Sequence, residues 1–178
     1  DEVNKYGIVA DEIGQKIGLK TGDRILDISG NDYERFTDLF GSEALLNNNA
    51  YYTVLRDGQK VRVDIPADLI EDLSEKKSIG NFIEPRFPFE VGDISPGSEA
   101  DRVGLEKGDK IVAVGGTPVK YFDQFETEKK KFANKSVDLS VERGSEKLNF
   151  TVNLDESAMV GFQSVPMIQF KSEEYGIA

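Results

Sequence analysis

Two short segments of the chain alternate polar and apolar residues with a period of two. They are DRILDI at residues 23–28 and DKIVAV at residues 109–114. Because successive side chains of a strand point to opposite faces, this alternation predicts a β-strand at each place. A Gly-Asp pair leads into each strand, which is typical of a turn.

Both strands belong to one phrase that occurs twice in the chain. The phrase is GLKTGDRILDISG at residues 18–30 and GLEKGDKIVAVGG at residues 104–116, so the copies lie 86 residues apart. At the same spacing Leu39 corresponds to Phe125, and the turn RDGQ corresponds to ERGS. A spacing that stays constant over roughly 40 residues indicates an internal duplication.

Each copy predicts the same order of elements, which is strand, helix, strand, helix, hairpin and strand. The first helix ends at Gly18 or Gly104, because a helix end often requires the positive φ that glycine adopts readily. Ser98 predicts the N-cap of this helix in the second copy. Asp57-Gly58 and Arg143-Gly144 each predict a hairpin turn.

The second helix of each copy is predicted from apolar residues at spacings of three, four and seven. Its segments are FTDLFGSEALL at residues 36–46 and FDQFETEKKKF at residues 122–132. A polar, charged stretch at 67–78 is expected to link the first hairpin to its closing strand. The resulting fold class is α+β, with each copy a small, mostly antiparallel barrel or sandwich capped by two helices.

Each copy closes with an apolar strand that contains a glycine, at residues 78–85 and 159–166. A strand placed before each copy instead of after it would leave the first copy with only residues 1–5, which are too short and too polar. The sequence therefore predicts that the closing strand folds back onto the start of its own copy.

The segment VGDISPGSEADRVGLEKGDKIVAVGGTPV resembles a bacterial PDZ domain. The first copy keeps GLKTGDRILDISG but has ADEIG at residues 10–14 where PGSEA stands in the second. The resemblance implies two consecutive PDZ domains at residues 3–85 and 86–168, with a tail at 169–178. With the edge strand last in each repeat, both domains would be circularly permuted.

Two such copies joined by IEPRFPF resemble the envelope-side insert of RseP-type site-2 intramembrane metalloproteases. The tail QFKSEEYGIA is similar to the segment that leads back to the membrane in that family. The resemblance implies a region on the periplasmic face of the inner membrane that regulates or screens substrate access to regulated intramembrane proteolysis. Its partners would be membrane-anchored substrate proteins or their trimmed ends, admitted by peptide binding or by size exclusion.

Zinc belongs to the parent protein in this interpretation, held by a His-Glu-x-x-His motif and a distant Asp in membrane helices. No cofactor is expected in this segment, which has no His and no Cys. Without these residues the commonest general base and thiolate metal sites are missing, so we expect no catalysis here. The parent protein is expected to be the enzyme.

The charge balance argues against two classes of partner. Lys and Arg number 22 and Asp and Glu number 33, which gives a net charge of -11. Such a chain repels phosphate backbones and anionic membrane surfaces, so we expect no nucleic acid partner. No long apolar run is present, and we expect this region to be soluble, in a membrane-embedded parent. The chain also lacks an initiator Met and a leader, so it is expected to be a fragment or a processed chain.

A PDZ domain binds a peptide as an added strand beside its second helix. The candidate binding residues in the first copy are Leu39, Ile79, Gly80, Asn81, Phe82 and Ile83. Those in the second copy are Phe125, Val160, Gly161, Phe162, Gln163 and Ser164. Each segment has one glycine where carboxylate-binding PDZ domains have Gly-Leu-Gly-Phe, which leaves internal peptide segments as possible ligands.

Other interpretations remain open at this point. The candidate strands and the apolar helix positions are also compatible with an ordinary core that binds nothing. The run Lys129-Lys130-Lys131 is expected to be a solvated helix face, with attraction of acidic substrate tails or lipid head groups as the alternative. The pair of copies is also compatible with an HtrA-type periplasmic serine protease, or with a free-standing peptide-binding adaptor.

Overall fold

The computed structural model describes residues 5–75 and 81–167. The chain divides into two compact units, which we call unit 1 (residues 1–86) and unit 2 (residues 87–178). Each unit has its own hydrophobic core. All the strand pairs described in them are antiparallel. The predicted mixture of antiparallel sheets with a few helices is therefore confirmed.

The described residues of unit 1 form one three-stranded and one two-stranded sheet, in the orders β2-β3-β4 and β1-β5. Its elements are β1 (Ile8–Ala10), α1 (Glu12–Ile17), β2 (Arg24–Ile28), a 3-10 helix (Phe36–Phe40), α2 (Ser42–Leu45), β3 (Tyr51–Arg56), β4 (Gln59–Asp64), α3 (Leu69–Glu75) and β5 (Ile83–Pro85). The last strand of the unit pairs with the first, with Ile8 opposite Pro85.

In unit 2, residues 87–167 form one four-stranded and one two-stranded sheet, in the orders β10-β9-β7-β8 and β11-β6. Its elements are β6 (Phe89–Ile94), α4 (Glu99–Val103), β7 (Lys110–Val114), β8 (Thr117–Pro118), α5 (Phe122–Lys130), β9 (Ser136–Arg143), β10 (Glu146–Asn153) and β11 (Phe162–Pro166). Here too the last strand pairs with the first, with Pro166 opposite Phe89.

Most local signals of the sequence produce the elements that they predict. The second hairpin, however, turns at Gly144-Ser145 and not at Arg143-Gly144, because Arg143 still pairs with Glu146 at the end of β9. Gly18 and Gly104 end α1 and α4 in the left-handed conformation, with φ of 106° and 90°. The Ser98 hydroxyl accepts a hydrogen bond from the amide of Asp101 and caps α4. Asp57 and Gly58 both have positive φ, as a type I′ hairpin turn requires.

The Gly-Asp pair of the repeated phrase places a buried carboxylate in each unit. Asp23 and Asp109 are each 1% exposed, and each accepts two hydrogen bonds from an arginine at the end of the next long strand. The arginines are Arg56 and Arg143, and each also donates to the carbonyl at the end of the first helix, that of Gly18 or Gly104. We call each arrangement an Asp-Arg staple, because it ties turn, helix end and hairpin together.

Two elements of unit 1 differ from the sequence prediction. The helix expected over residues 36–46 is a 3-10 helix followed by the four-residue α2, because Gly41 between them is extended, with φ of -91° and ψ of -169°. The stretch expected to be a polar linker contains a helix, α3. Leu69 and Leu73 lie one turn apart on α3 and are 1% and 8% exposed, so they pack into the core of unit 1.

Candidate functional site

A groove in unit 2 lies between the last strand, β11, and the helix α5. Its cavity has a volume of about 280 Å³. Two segments line it, one from α5 and one that runs into β11. The residues are Phe122, Phe125, Glu126, Lys129, Met159, Val160, Gly161, Phe162, Gln163 and Ser164. The structure thus brings all six sequence-predicted residues of the second copy to one groove.

The helix side of this groove is positioned by a side-chain cap. The Gln124 carboxamide oxygen accepts hydrogen bonds from the amides of Lys120 and Tyr121, which precede α5. Residues at spacings of three, four and seven from Phe122 lie on one face of this helix, and that face lines the cavity.

An aromatic cluster forms the apolar part of the groove. The ring of Phe125 is fully buried, and its centroid lies 5.6 Å from that of Phe162 on β11. Phe89 on β6 supports both rings, with centroids 5.2 Å from Phe125 and 6.4 Å from Phe162. Such a cluster offers an apolar side chain of a ligand a rigid surface to pack on.

The segment before β11 is held in place by hydrogen bonds that its carbonyl groups accept. The carbonyl of Val160 accepts from the amide of Ala100 at 2.9 Å, and that of Gly161 accepts from the amide of Ser95 at 2.8 Å. Gly161 has a φ of +101°, and a Cβ there would lie 2.1 Å from the Cβ of Ser98, so only glycine fits.

Two donors of the same segment are left for a ligand. Within residues 5–75 and 81–167, the amides of Val160 and Gly161 have no hydrogen-bond acceptor. A buried or half-buried amide normally has a partner. These two N–H groups can therefore donate to a carbonyl or carboxylate that enters the groove.

One edge of β11 is also open within the described part of unit 2. Among the residues that the structure describes, the strand pairs only with β6, in a register that places Phe162 opposite Ile94 and Ser164 opposite Val91. The register shifts between these pairs. A β-bulge of this kind commonly occurs where a strand edge borders a site. The second edge of β11 is available to an additional strand.

An ion pair lies on the helix side of the groove. The Lys129 side chain is only 7% exposed, and its Nζ lies 2.9 Å from Oε1 of Glu126, whose side chain is 32% exposed. The same Nζ lies 5.3 Å from the centroid of the Phe125 ring, which is a cation–π geometry.

The pair of Glu126 and Lys129 was not among the sequence-predicted site residues. The run at 129–131 was expected to be a solvated helix face, and this is wrong for Lys129, whereas Lys130 and Lys131 are exposed. The signal that could have found Lys129 is its spacing of seven from Phe122 and of four from Phe125, which places all three residues on one face.

The candidates of the first copy lie differently in unit 1. Phe82, Ile83 and Leu39 are 0%, 2% and 1% exposed and belong to the core of the unit. Asn81 is exposed, and Ile79 and Gly80 lie outside the described residues. The strand that contains Ile83, β5, has only three residues. Of the candidate residues in unit 1, those that are buried offer no side-chain surface to a ligand.

One carboxyl of unit 1 has unusual electrostatics. Asp11 lies between β1 and α1, and its Oδ2 is buried with no partner in the described structure. Burial is the main cause that raises the pKa of Asp11 to about 7, and the neighbouring carboxylate of Glu84 raises it further. This group therefore changes its charge near neutral pH.

A metal site is not apparent in the part of the chain that the structure describes. No group of three or more His, Cys, Asp or Glu side chains there could hold an ion. The chain has no His and no Cys. Across the same residues, none of the helices has the length and apolar character that crossing a membrane requires.

Comparison with known proteins gives one family match. The family model of the PDZ domain matches residues 74–154. This part of the chain is therefore similar to a PDZ domain. The matched range takes in most of unit 2, including α5, and ends before β11.

A relative extends the likeness beyond one domain. A protein of Treponema pallidum (strain Nichols) with the name "Putative zinc metalloprotease" is 29% identical over 145 residues, which are 79% of this chain. The matched residues are 31% of that protein's length. The chain thus corresponds to less than a third of this relative.

A solved structure is also similar at a low level. The crystal structure of an aminopeptidase N family protein from Idiomarina loihiensis matches 45% of this chain and 15% of its own, with a TM-score of 0.32 and 15% identity. Values this low support no conclusion about fold or function.

Proposed function

We propose that the chain is the tandem PDZ region of an RseP-type site-2 intramembrane zinc metalloprotease. The match to the Treponema protein supports this, because 145 aligned residues exceed the length of either unit and must extend into both. Zinc and the catalytic residues would lie in the rest of the parent protein. This region would stand on the periplasmic face of the inner membrane and screen substrates.

We further propose that each unit is a circularly permuted PDZ domain, at residues 3–85 and 86–168. The strand pairing supports this arrangement, since the last strand of each unit pairs with its first, β5 with β1 and β11 with β6. The range matched by the family model, 74–154, starts within unit 1. This is expected if the model has the edge strand first, because β5 then aligns with that strand ahead of unit 2.

The function that the geometry of unit 2 supports best is peptide binding by strand addition. The observation that carries it is the groove, where an open edge of β11, two free amides and an aromatic surface converge. A peptide would pair with β11 and place an apolar side chain against Phe125 and Phe162. Membrane-anchored substrates, or their trimmed ends, would be the ligands.

A titration with peptides tests the binding step. A library of ten-residue peptides, with free or amidated C-termini, would be added to the 15N-labelled full chain. We expect the largest amide shifts at residues 160–164 and near Phe125, with weak affinity, because a short peptide loses ordering entropy on binding. Phe162→Ala should abolish the shifts. Phe150→Ala, a matched change on β10 away from the groove, should leave them intact. Shifts confined to Lys130 and Lys131 would contradict the proposal.

A cleavage assay in the whole parent protein tests the screening role. The parent with Phe162→Ala would be compared with the Phe150→Ala parent on two membrane-anchored substrates, one with a trimmed and one with an intact outer domain. If the groove screens, the first variant changes the ratio of the two cleavage rates and the second does not. A ratio that is equal in both variants and in the wild type would remove peptide binding from the screening mechanism and leave size exclusion.

A further inference from the structure

We propose that Lys129 makes the groove of unit 2 selective for a peptide that carries an acidic side chain two residues from its apolar anchor. This inference rests on the proposed peptide binding and adds the chemistry of the ligand. It concerns a charge inside the groove, whereas the aromatic surface and the free amides determine only where the peptide lies.

Within the described residues, the ammonium group of Lys129 has more hydrogen-bond donors than it has acceptors. An ammonium group has three donors. The structure gives this one a single acceptor, Oε1 of Glu126, within the residues that it describes. With a side chain only 7% exposed, Lys129 has little water to satisfy the other two donors. A buried cation in this state is costly until an acceptor arrives.

The second step concerns the sign of the charge that the ligand supplies. Glu126 is the other charged group of the pair, but its side chain is 32% exposed and water can reach it. The group that still needs hydrogen-bond acceptors is therefore the ammonium group of Lys129. Charge-assisted hydrogen bonds are about twice as strong as neutral ones. A ligand carboxylate consequently satisfies Lys129 better than a neutral side chain does, and a ligand cation opposes it.

The third step is the spacing between anchor and acid. Phe125 and Lys129 are four residues apart on α5, which is about 6 Å along the helix axis. Two residues of an extended peptide span about 6.6 Å and point to the same face. A peptide whose apolar side chain contacts Phe125 therefore brings its side chain two positions away to Lys129.

The overall charge of the protein does not cancel this preference. The chain carries a net charge of -11, yet exposed charges more than about 8 Å away are largely screened at physiological ionic strength. Among the residues that line the groove the opposing anion is Glu126, which is paired with Lys129 and reached by water, so it weakens the preference without reversing it. The charges inside the groove therefore determine which peptide binds.

The test uses the full chain and three eight-residue peptides that differ at one position. Each has a single Leu anchor, with Glu, Gln or Lys two residues away, made in both sequence orders and with free and amidated C-termini. Affinity is measured by NMR titration or calorimetry. We expect the Glu peptide of one order to bind about tenfold more tightly than its Gln counterpart, and the Lys peptide to bind most weakly.

Three variants separate the role of this lysine from general electrostatics. Lys129→Met, which keeps the length of the side chain, should remove the preference for Glu while the Gln peptide still binds. Lys130→Met, on the exposed neighbour, should leave the preference unchanged. Glu126→Gln should increase it, because the competing anion is gone. The amide shifts of the unbound variants show that unit 2 remains folded.

The outcomes distinguish the proposed peptide binding from the proposed selectivity for an acidic side chain. If no peptide in the set binds, the proposed peptide binding is wrong and this inference falls with it. If the peptides bind but Glu is not preferred, or if Lys129→Met keeps the preference, peptide binding stands and the selectivity assigned to Lys129 is overturned.

Discussion

Replacing Asp109 by Asn should destabilise unit 2 although it keeps the size of the side chain. The carboxylate accepts from Nε and Nη2 of Arg143 at 2.8 and 2.9 Å and from the amide of Glu106 at 2.9 Å. Asn can keep the contact with the amide. Its NH₂ group, however, opposes the arginine donors and leaves a guanidinium beside a neutral group.

The expected loss of folding stability follows from the burial of Asp109 and Arg143. Removing one partner of a buried ion pair costs about 3–5 kcal/mol. Asp109 is 1% exposed but the Arg143 side chain is 30% exposed, so water partly compensates the arginine. We therefore expect a loss of about 2–3 kcal/mol, a large share of the roughly 5–15 kcal/mol that stabilises a typical domain.

The pH dependence gives the prediction a second readout. Burial alone would raise the pKa of Asp109, but hydrogen bonds from Arg143 and from the amide of Glu106 outweigh burial and lower it. A lowered pKa means that the folded state holds the charge more readily, so the stabilisation is present at neutral pH. It is lost as the pH falls below about 4, the ordinary value for Asp. The penalty of Asp109→Asn should therefore shrink in acid.

The assay is urea unfolding of the full chain combined with hydrogen exchange of amides in β7 and β9. The control is Asp64→Asn, since the pair Arg62–Asp64 is 58% and 78% exposed and should contribute less than about 0.5 kcal/mol. The reasoning would be refuted by a penalty for Asp109→Asn equal to that of the control, or by one that is the same at pH 3 and pH 7.

Three further predictions concern other parts of the chain. Asp11→Asn should stabilise unit 1 above pH 7 and have little effect near pH 4, because the raised pKa means that ionisation costs stability as the pH rises. The gain should be about 1 kcal/mol, well below the full shift, because water screens the half-buried carboxyl; equal melting temperatures at pH 8 would contradict it. Gly161→Ala should lower the melting temperature of unit 2 by about 10 °C, since its Cβ collides with Ser98 at positive φ, and an unchanged melting temperature would show that the loop relaxes freely. A fragment of residues 1–86 should unfold cooperatively, whereas one of residues 1–75, without β5, should melt lower or aggregate; equal stability would assign the strand to unit 2.

The sequence predicted most reliably those features that depend on a few neighbouring residues. The hairpin turn at Asp57-Gly58 needs positive φ at adjacent positions, which this dipeptide allows at little cost. The ends of α1 and α4 need one glycine each, at Gly18 and Gly104. The N-cap needs one hydroxyl, that of Ser98. Because each signal is local, no knowledge of the tertiary structure was required.

The features that failed depend on contacts that are distant in sequence. Charged neighbours suggested that residues 67–78 were a linker, and the burial of Leu69 and Leu73 depends on the core of unit 1 supplying a surface for them. The same limit applies to Lys129. Its neighbours Lys130 and Lys131 gave it the appearance of a surface residue, whereas in the fold its side chain lines the groove beside α5 and is 7% exposed.

The two units allow the roles of staple and groove to be separated. Both units keep the Asp-Arg staple with nearly the same geometry, with Asp23 and Asp109 bonded to Arg56 and Arg143 at 2.7 to 2.9 Å. The repeated phrase with the Gly-Asp turn therefore places the same buried ionic contact in both units.

The closing strands, by contrast, differ between the copies. In unit 2 the closing strand, β11, has five residues and borders a cavity, whereas β5 of unit 1 has three, with Ile83 in the core. A ligand gains main-chain hydrogen bonds in proportion to the length of the edge that it pairs with. Unit 2 is therefore the better binding candidate, and a role of unit 1 that needs no peptide, such as size exclusion, requires only that its fold be stable.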